Sequence, residues 1–297
     1  MQLSLVFMTG RADPQLGWVI DGIRQQAHPS DRIELVVVDV FGRTIAELAP
    51  DHDTSVFERC RATLPKPNIW QGKYRVTNAD WWATANARNT AIALAQHDFM
   101  AFLDDRCRLG PKWLEVVRGY AARRDAVVCG TYDKLEGVER RRTTDHRRAH
   151  ASAGMKNCGG GWLYGCTFGL PTEWALEVNG FEEGCDGLTG EDYIFGLMLG
   201  NAGRRIDFSV EMYVEQDRQP GNESCKGSYK CADKGPIGTP EDKSHHALKR
   251  FGTRKSTEFT PNLRALRHHL AAGNDFPVPN PEYEYRDWFD GQLISTM

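Results

Sequence analysis

The stretch FLDDRCRLGPKWL, residues 102–114, decides the fold because an apolar run ends there in two adjacent carboxylates. The run DFMAFLD that leads into it is typical of a buried strand in a sheet. Asp104 and Asp105 therefore lie where a strand ends, and Arg106 follows them directly. The proline of GPKWL suits the first turn of a helix, which continues through KWLEVVRGYAARR. The stretch predicts a strand, an acidic turn and a helix in that order.

Strand-like and helix-like segments alternate along the first half of the chain. The apolar runs LSLVFM, IELVVVDV and AVVCGTYD predict further strands. The segments PQLGWVIDGIRQQAH and WWATANARNTAIALAQH have the composition and spacing of helices. Such alternation implies an α/β fold in which helices flank a mostly parallel sheet.

Polar residues occur where three of the predicted strands end. The carboxyl ends of parallel strands form the edge at which open α/β sheets bind ligands. An acid at one strand end is commonly just solvated, but three such ends, one with two adjacent acids, favour a cation or phosphate site. We expect one crevice formed by Thr9, Gly10, Arg11, Asp39, Asp104 and Asp105.

The second half of the chain combines a segment rich in glycine and aromatic residues with an acidic helix start. The segment GGGWLYGCTFGLP, residues 159–171, predicts strand-like structure in which glycines let a ligand approach the backbone. TEWALEVNG predicts a short helix that Gly180 ends. Gly190, Glu191 and Asp192 open the next helix. Acids in a first helical turn interact favourably with the helix dipole, which alone would explain them.

The chain is long enough for one large α/β domain, or for one domain with an appendage, and its composition is ordinary for a globular protein. Of the 297 residues, 40% are hydrophobic and 26% charged, and the net charge of −3 gives no general reason to expect nucleic-acid binding. No apolar run approaches the ~20 residues that span a bilayer, and the N-terminus lacks signal-peptide features, so we expect a cytoplasmic location. The eight cysteines form no CxxC motif, which argues against a structural zinc site. We expect Cys158, Cys166 and Cys185 to pack as small apolar residues.

The order of these motifs resembles the GT-A fold glycosyltransferases, specifically family 2 with a galactosyltransferase-like second half. The resemblance rests on TGR, Asp39, ARNTAIALAQHDFMAFLDD, GPKWL, VNGFEE and GEDYIFGLMLGNAG, in that order. It implies a Rossmann-like catalytic core over residues 1–215. In that core, residues 1–133 would bind the nucleotide sugar and residues 134–215 would lie on the acceptor side. Residues 216–297 would form a flexible loop and a C-terminal extension.

The resemblance also implies an activity and a set of site residues. Such enzymes transfer a sugar from a nucleotide-diphosphate sugar, here with a UDP-sugar favoured, to a hydroxyl acceptor, and members of family 2 generally invert the anomeric configuration. Mn²⁺ or Mg²⁺ would stabilise the departing diphosphate, with Asp105 the first choice as ligand and Asp104 beside it. Asp192 matches the position of the general base. Glu191 would either bind the acceptor or act as the base in place of Asp192. The donor-binding residues implied are Thr9, Gly10, Arg11, Asp39, Arg88, Asp104 and Arg106.

Arg106 departs from the family pattern, because many relatives carry a third acid at this position. Two interpretations remain open. In the favoured one, Asp105 is the one ligand from this motif and a downstream histidine assists it, with His245 the first choice and His246 beside it. In the other, Arg106 supplies positive charge to the diphosphate and reduces the need for a cation.

The polar segment at residues 216–244 is rich in Gly, Pro and Lys and predicts a long loop. In GT-A enzymes a loop near this position commonly orders over the bound donor and excludes water. We expect the same role here.

The sequence is consistent with several kinds of acceptor. Residues 137–150 are densely basic, which fits either a solvated surface loop or a grip on a polyanion such as an acidic glycan, a lipid-linked phosphate or DNA. One alternative is therefore a glycosyltransferase that modifies a hydroxymethylated DNA base, and another is a GT-A scaffold that binds sugars without catalysis. The residues expected to bind the acceptor are Trp162, Tyr164, Arg141 and Arg147.

Overall fold

The computed structural model describes residues 1–66, 83–183, 186, 190–218 and 262–276. Its strands are β1 (Gln2–Thr9), β2 (Arg32–Asp39), β3 (Arg59–Thr63), β4 (Phe99–Asp104), β5 (Cys107–Leu109), β6 (Val127–Glu136), β7 (Arg141–Thr144), β8 (Thr167–Pro171) and β9 (Ile206–Arg218). Its helices are α1 (Leu16–Gln26), α2 (Ile45–Leu48), α3 (Thr84–Leu94), α4 (Trp113–Arg123), α5 (Thr172–Glu177), α6 (Glu191–Asn201) and α7 (Leu263–Ala271). No helix in these ranges is long and apolar enough to cross a bilayer.

One sheet runs through the fold in the order β3-β2-β1-β4-β8-β6-β9-β5, with β7 beside β6. The first four strands of this order are parallel, as the alternation of strands and helices predicts. Beyond β4 the expectation of a mostly parallel sheet does not hold, because β8 lies antiparallel between β4 and β6. The prediction of an α/β fold with helices flanking a central sheet is confirmed, and the sheet as a whole is mixed.

Apolar layers on both faces of the sheet explain the unbroken hydrophobic runs of its central strands. Leu5 and Phe7 of β1 belong to a buried cluster with the apolar side of α1 and with α4. Val6 and Met8, which alternate with them, belong to the cluster on the opposite face with α3. Strands covered on both faces are hydrophobic at successive positions. The core therefore fixes the carboxyl ends of β1, β2 and β4 beside one another.

The acidic turn after β4 joins the two halves of the sheet. β5 follows β4 after two residues but pairs with β9 at the far side of the sheet. The backbone N–H of Arg106 donates to the carbonyl oxygen of Pro14 at 2.8 Å, and the N–H of Asp217 donates to the carbonyl of Arg106 at 3.0 Å. The turn is thus held from both sides by main-chain hydrogen bonds.

The C-terminal helix α7 packs on the core. Leu263 and Leu266 are buried in the same cluster as α3. The side-chain oxygen of Asn179 accepts a hydrogen bond from the N–H of Leu263 at 2.7 Å and so holds the first turn of α7. This part of the predicted C-terminal extension therefore contributes apolar contacts to the hydrophobic core.

The strand-like prediction for residues 159–171 is wrong in its first half. Residues Gly160–Trp162 form a 3₁₀ turn, and only Thr167–Pro171 form a strand. The reason is the neighbouring helix, because α6 lies directly against Gly160. A Cβ atom added to Gly196 would stand 2.1 Å from the carbonyl oxygen of Gly160. Gly160 and Gly196 thus allow the backbone of the 3₁₀ turn to pack directly against the backbone of α6.

We expect Gly196→Ala to lower the free energy of unfolding by about 2 kcal/mol, in the range of overpacked sites. The added methyl group would meet backbone at Gly160, which cannot move aside as a flexible side chain can. Urea denaturation of the purified variant measures the effect. Gly200→Ala is the control on the same helix, since its Cβ would lie 3.7 Å from the backbone nitrogen of Gly160, an ordinary contact distance. That change should be neutral or slightly stabilising, because alanine favours helices over glycine. Equal stabilities of the two variants would contradict the close approach.

Candidate active site

Asp105 lies at the end of β4 with both carboxylate oxygens engaged. The hydroxyl of Thr9 donates to one oxygen at 2.7 Å, and the Nε of Arg11 donates to the other at 2.8 Å. Burial raises the pKa of the Asp105 carboxyl, while the Arg11 guanidinium opposes this effect. The structure therefore brings together the TGR segment and the acidic turn, as the strand-end argument predicts.

Asp104 is the more accessible of the two acids, with 26% of its side chain exposed. Its polar contacts are long: the Gln216 amide nitrogen lies at 3.4 Å and a guanidinium nitrogen of Arg88 at 3.7 Å. Within the described ranges no group of three or more His, Cys, Asp or Glu side chains is arranged to hold a metal ion. Mg²⁺ and Mn²⁺ usually bind through one or two carboxylates together with substrate phosphates. The oxygens of Asp104 and Asp105 fit that donor set.

Arg88 connects the acidic turn to the start of α6. Its side chain is 3% exposed, and it lies between Asp104 and the Glu191 carboxylate, which accepts a hydrogen bond from Nη1 at 2.8 Å. The guanidinium also lies 5.0 Å from the centre of the Phe181 ring. Burial and the adjacent Asp192 carboxylate raise the pKa of Glu191, and Arg88 opposes both effects. Arg88 thus joins the predicted donor-side and acceptor-side carboxylates.

Asp192 lies in the first turn of α6 beside Glu191. Its carboxylate accepts hydrogen bonds at 2.7 Å from the backbone N–H groups of Gly165 and Tyr193. Within the described part of the chain it forms no ion pair, whereas Glu191 is paired with Arg88. Backbone hydrogen bonds therefore hold the Asp192 carboxylate in place, and no arginine or lysine among the described residues pairs with it.

Asp39 is buried and binds Arg43, a residue that the sequence reasoning missed. The carboxylate accepts hydrogen bonds from Nε and Nη2 of Arg43 at 3.0 and 2.9 Å. The same guanidinium donates to the carbonyl oxygens of Arg11 and Ala12, both at 2.6 Å. Arg43 therefore ties the end of β2 to the loop after β1. The only signal in the sequence was an arginine four residues after a strand-terminal acid.

Arg106 has carboxylate partners of its own. Its φ of 55° is left-handed, and its side chain turns toward the loop after β1 and the end of β9. Nη1 lies 2.8 Å from the Asp13 carboxylate, Nη2 lies 3.8 Å from that of Asp217, and Nε donates to the Asp217 carbonyl at 3.0 Å. Only 4% of the side chain is exposed. These contacts hold the acidic turn in place.

Tyr164, predicted to bind the acceptor, directly precedes Gly165, whose backbone N–H donates to Asp192. Its hydroxyl lies 3.1 Å from Nε2 of His146. Trp162 packs against the ring of Phe208, with 5.4 Å between ring centres.

Arg147 and Arg141, predicted to bind the acceptor, have different surroundings. Arg147 is buried, and its Nη2 lies 2.6 Å from the Asp145 carboxylate and donates to the Gly130 carbonyl at 2.7 Å. Its guanidinium stacks 4.1 Å from the Tyr164 ring and so supports that side chain. Arg141 is exposed on β7.

Carboxylates neutralise much of the basic segment 137–150. Its other arginines pair with acids on β6 and β9, which the sequence order does not reveal. The pairs are Arg140 with Asp217 at 3.4 Å, Arg142 with Asp133 at 3.3 Å and Glu215 at 3.1 Å, and Arg148 with Asp133 at 3.4 Å. The segment therefore presents less free positive charge than its composition suggests.

A buried polar network holds the start of α3 and was also missed from the sequence. Lys66 pairs with Glu183 at 2.7 Å, and both side chains are almost fully buried. The Asp186 carboxylate accepts the backbone N–H groups of Ala85 and Asn86 at 2.7 and 3.0 Å. Burial raises the pKa of Asp186 well above its ordinary value, and Glu183 adds to the effect. This network fixes the helix that carries Arg88.

Some predicted residues lie outside the described ranges. They are His245, His246, Cys185 and all of the predicted donor loop beyond residue 218. The thiol of Cys166 is buried and that of Cys158 partly buried, as small apolar residues would be.

The arrangement can be compared with known proteins. Residues 11–184 match the family model described as glycosyl transferase family 2. The chain belongs to this family. Among curated proteins, none matches the sequence significantly.

Solved structures show the fold. The chain is similar to S. aureus TarS 1–349 in complex with UDP, with 13% identity, coverage of 93% of each chain and a TM-score of 0.54. It is also similar to GalNAc-T7 with UDP, GalNAc and Mn²⁺, with 12% identity, a TM-score of 0.51, and coverage of 93% of this chain and 58% of that one. Against TarS 1–349 with UDP-GlcNAc the TM-score is 0.50, the identity 16%, and the coverage 74% of this chain and 60% of that one.

Identities this low show the fold alone, and that fold is the GT-A fold of glycosyltransferases. The predicted fold and family are thus confirmed. The galactosyltransferase-like second half stays a prediction, as do the domain boundaries and the roles of the individual site residues.

Proposed function

We propose that this family 2 glycosyltransferase moves a sugar from a UDP-sugar to a hydroxyl acceptor with inversion, assisted by Mn²⁺ or Mg²⁺. The observation that carries the proposal is the position of Arg88 between Asp104 and Glu191. This arginine brings the two acids of the turn after β4 close to the two acids that open α6. The bound UDP of TarS and of GalNAc-T7 favours UDP as the donor nucleotide, and the Mn²⁺ of GalNAc-T7 favours manganese.

On the donor side, Asp104 and Asp105 would hold the cation, which when bound acts as a Lewis acid for charge on the departing diphosphate. Asp104 offers the more exposed oxygens. Asp105 remains able to bind the ion as well, since a carboxylate oxygen that accepts one hydrogen bond has a second lone pair. Thr9 and Arg11 orient Asp105, and Asp39 with Arg43 fixes the loop on which Arg11 lies.

On the acceptor side, Asp192 would remove the proton from the attacking hydroxyl. Inversion requires a base on the face of the sugar opposite the departing diphosphate. Asp192 suits this role because backbone N–H groups fix its carboxylate and it forms no ion pair with a described residue. Glu191 would bind the acceptor and keep Arg88 in place. Tyr164, supported by Arg147, would contact an acceptor glycan or another small hydroxyl compound.

A DNA acceptor with a hydroxymethylated base is the second candidate. It rests on the basic segment 137–150, whose arginines are largely paired with carboxylates. Specific or nonspecific DNA binding through phosphates would weaken steeply as salt increases. Absence of any salt-sensitive binding to duplex DNA would eliminate this candidate and leave the glycan or small hydroxyl acceptor.

Calorimetric titration with UDP and other nucleoside diphosphates, with and without Mn²⁺, tests the donor site. We expect manganese-dependent binding of UDP, reduced roughly 100-fold by Asp104→Ala because a ligand of the cation is lost. Asp98→Ala is the control, since Asp98 is an exposed acid just before the first residue of β4. Binding of no nucleotide by the wild-type protein would refute the transferase proposal. Retention of metal-dependent binding in Asp104→Ala would instead transfer the ligand role to Asp105.

A further inference from the structure

Two cations beside Asp104 have no carboxylate partner among the described residues. Lys134 of β6 contacts the ring of Tyr132, with its Nζ 4.4 Å from the ring centre. Arg218 ends β9, and its Nε donates to the side-chain oxygen of Gln216 at 3.0 Å. Neither forms an ion pair within the described ranges, although the nearby Arg140, Arg142, Arg147 and Arg148 do.

The sheet register directs both side chains to the face that Asp104 occupies. Lys134 is the register partner of Gln216 in the parallel pair of β6 and β9. Gln216 donates through its amide to Asp104 at 3.4 Å and accepts from Arg218. Register partners on adjacent strands present their side chains on the same face, and residues two apart on a strand share that face. Lys134, Gln216 and Arg218 therefore form one polar group around the Asp104 carboxylate.

The electrostatics of this group favour an additional anion. Burial lowers the pKa of the Lys134 ammonium, and the positive charge of Arg218 lowers it further. The negative charge of Asp104 opposes these effects. A half-buried ammonium beside a guanidinium is costly unless an anion compensates the charge. The carboxylates that act on Lys134 are Asp104 and Glu136, and neither forms an ion pair with Lys134 or Arg218 within the described ranges.

We propose that Lys134 and Arg218 bind the diphosphate of the nucleotide donor, an inference that rests on the proposed donor site. The two cations would neutralise phosphate oxygens that approach Asp104. This charge would complement the cation held by the acidic turn. Arg106 cannot supply it as readily, because the Asp13 and Asp217 carboxylates already lie beside its guanidinium.

The test compares the binding of UDP with that of uridine, which lacks phosphate. We expect Lys134→Met and Arg218→Gln each to weaken UDP binding about tenfold, as loss of a charge-assisted contact to phosphate should. Uridine affinity should stay unchanged in both variants. Lys134→Arg keeps the charge and should retain most of the UDP affinity. Lys112→Met is the control, since Lys112 pairs with Glu211 at 2.6 Å outside this group.

Three results would overturn the inference. Unchanged UDP affinity in Lys134→Met and Arg218→Gln would show that Lys134 serves only to pack on Tyr132 and that Arg218 serves only to order Gln216. Equal losses of UDP and uridine affinity would show that the substitutions distort the site rather than remove phosphate contacts. Failure of the wild-type protein to bind UDP would refute the proposed donor site itself. This failure is distinguishable from the other two because it is seen with the wild-type protein, before any variant is made.

Discussion

Replacing Arg88 with methionine is expected to lower the free energy of unfolding by roughly 3 kcal/mol and to remove nearly all transfer activity. Arg88 is buried and lies 2.8 Å from the Glu191 carboxylate and 3.7 Å from that of Asp104. Methionine fills much of the volume but leaves the partly buried Glu191 carboxylate without its cation. Removing one partner of a buried ion pair is far more destabilising than removing an exposed one.

The effect should depend on pH in a defined direction. Burial and Asp192 raise the pKa of Glu191 above its ordinary value, and Arg88 opposes them, so loss of Arg88 raises this pKa further. A carboxyl with a raised pKa in the folded state loses its contribution to stability as pH rises through the unfolded value of about 4.3 toward the folded one. The stability deficit of Arg88→Met should therefore be smaller near pH 5 than near pH 8.

Urea denaturation at both pH values, with a double-mutant cycle, separates the ion pair from packing. Adding Glu191→Gln to Arg88→Met removes the unpaired charge and should restore part of the lost stability. Arg204→Met is the control for a surface pair, since Arg204, just after α6, binds Glu177 at the end of α5 and the two side chains are 32% and 37% exposed. Its cost should stay below about 1 kcal/mol. Equal costs for the two arginine variants, or a deficit independent of pH, would contradict the role assigned to Arg88.

The parts of the site predicted correctly from sequence are those that a local pattern determines. An apolar run that must be buried, followed at once by two acids, places Asp104 and Asp105 at the end of a strand. The same reasoning placed Thr9 and Arg11 at the end of β1, where both bind Asp105. Adjacent parallel strands bring their carboxyl ends together, so the crevice follows from topology alone.

The parts that the sequence could not predict depend on pairing between distant segments. Lys66 and Glu183 are 117 residues apart and meet only once α3 and the loop after α5 are in place. The direction of β8 is a similar case, because an apolar run does not reveal whether a strand is parallel or antiparallel. Its insertion between β4 and β6 makes the sheet mixed and brings Gly165 to Asp192.

Charged residues were the most difficult to interpret from composition. The basic segment 137–150 suggested a free cationic surface, but Asp133 alone pairs with both Arg142 and Arg148. Arg147 is buried because Asp145, two residues earlier, compensates its charge. Lys134 received no role from the sequence, yet it lacks an ion-pair partner among the described residues. Register, rather than composition, determines which charges are available to a ligand.

Replacing Asp192 with asparagine is expected to lower the rate of sugar transfer about 1,000-fold, as loss of a general base does. The amide oxygen can still accept a backbone hydrogen bond from Gly165, so the start of α6 should keep its structure. The amide cannot take a proton from the acceptor hydroxyl at neutral pH. UDP binding should be unchanged, because Asp192 contacts the backbone of Gly165 and Tyr193 and makes no contact with the acidic turn at Asp104 and Asp105.

A direct comparison with Glu191→Gln decides which acid is the base. UDP release from UDP-sugars, measured with a panel of hydroxyl acceptors, gives the rate, and calorimetry with UDP gives the donor affinity. Glu191→Gln should keep more activity and lose stability instead, because its carboxylate binds Arg88. The reverse order of rates would make Glu191 the base. Asp192 is favoured because its carboxylate forms no ion pair with a described residue, whereas the Glu191 carboxylate is engaged by the Arg88 guanidinium.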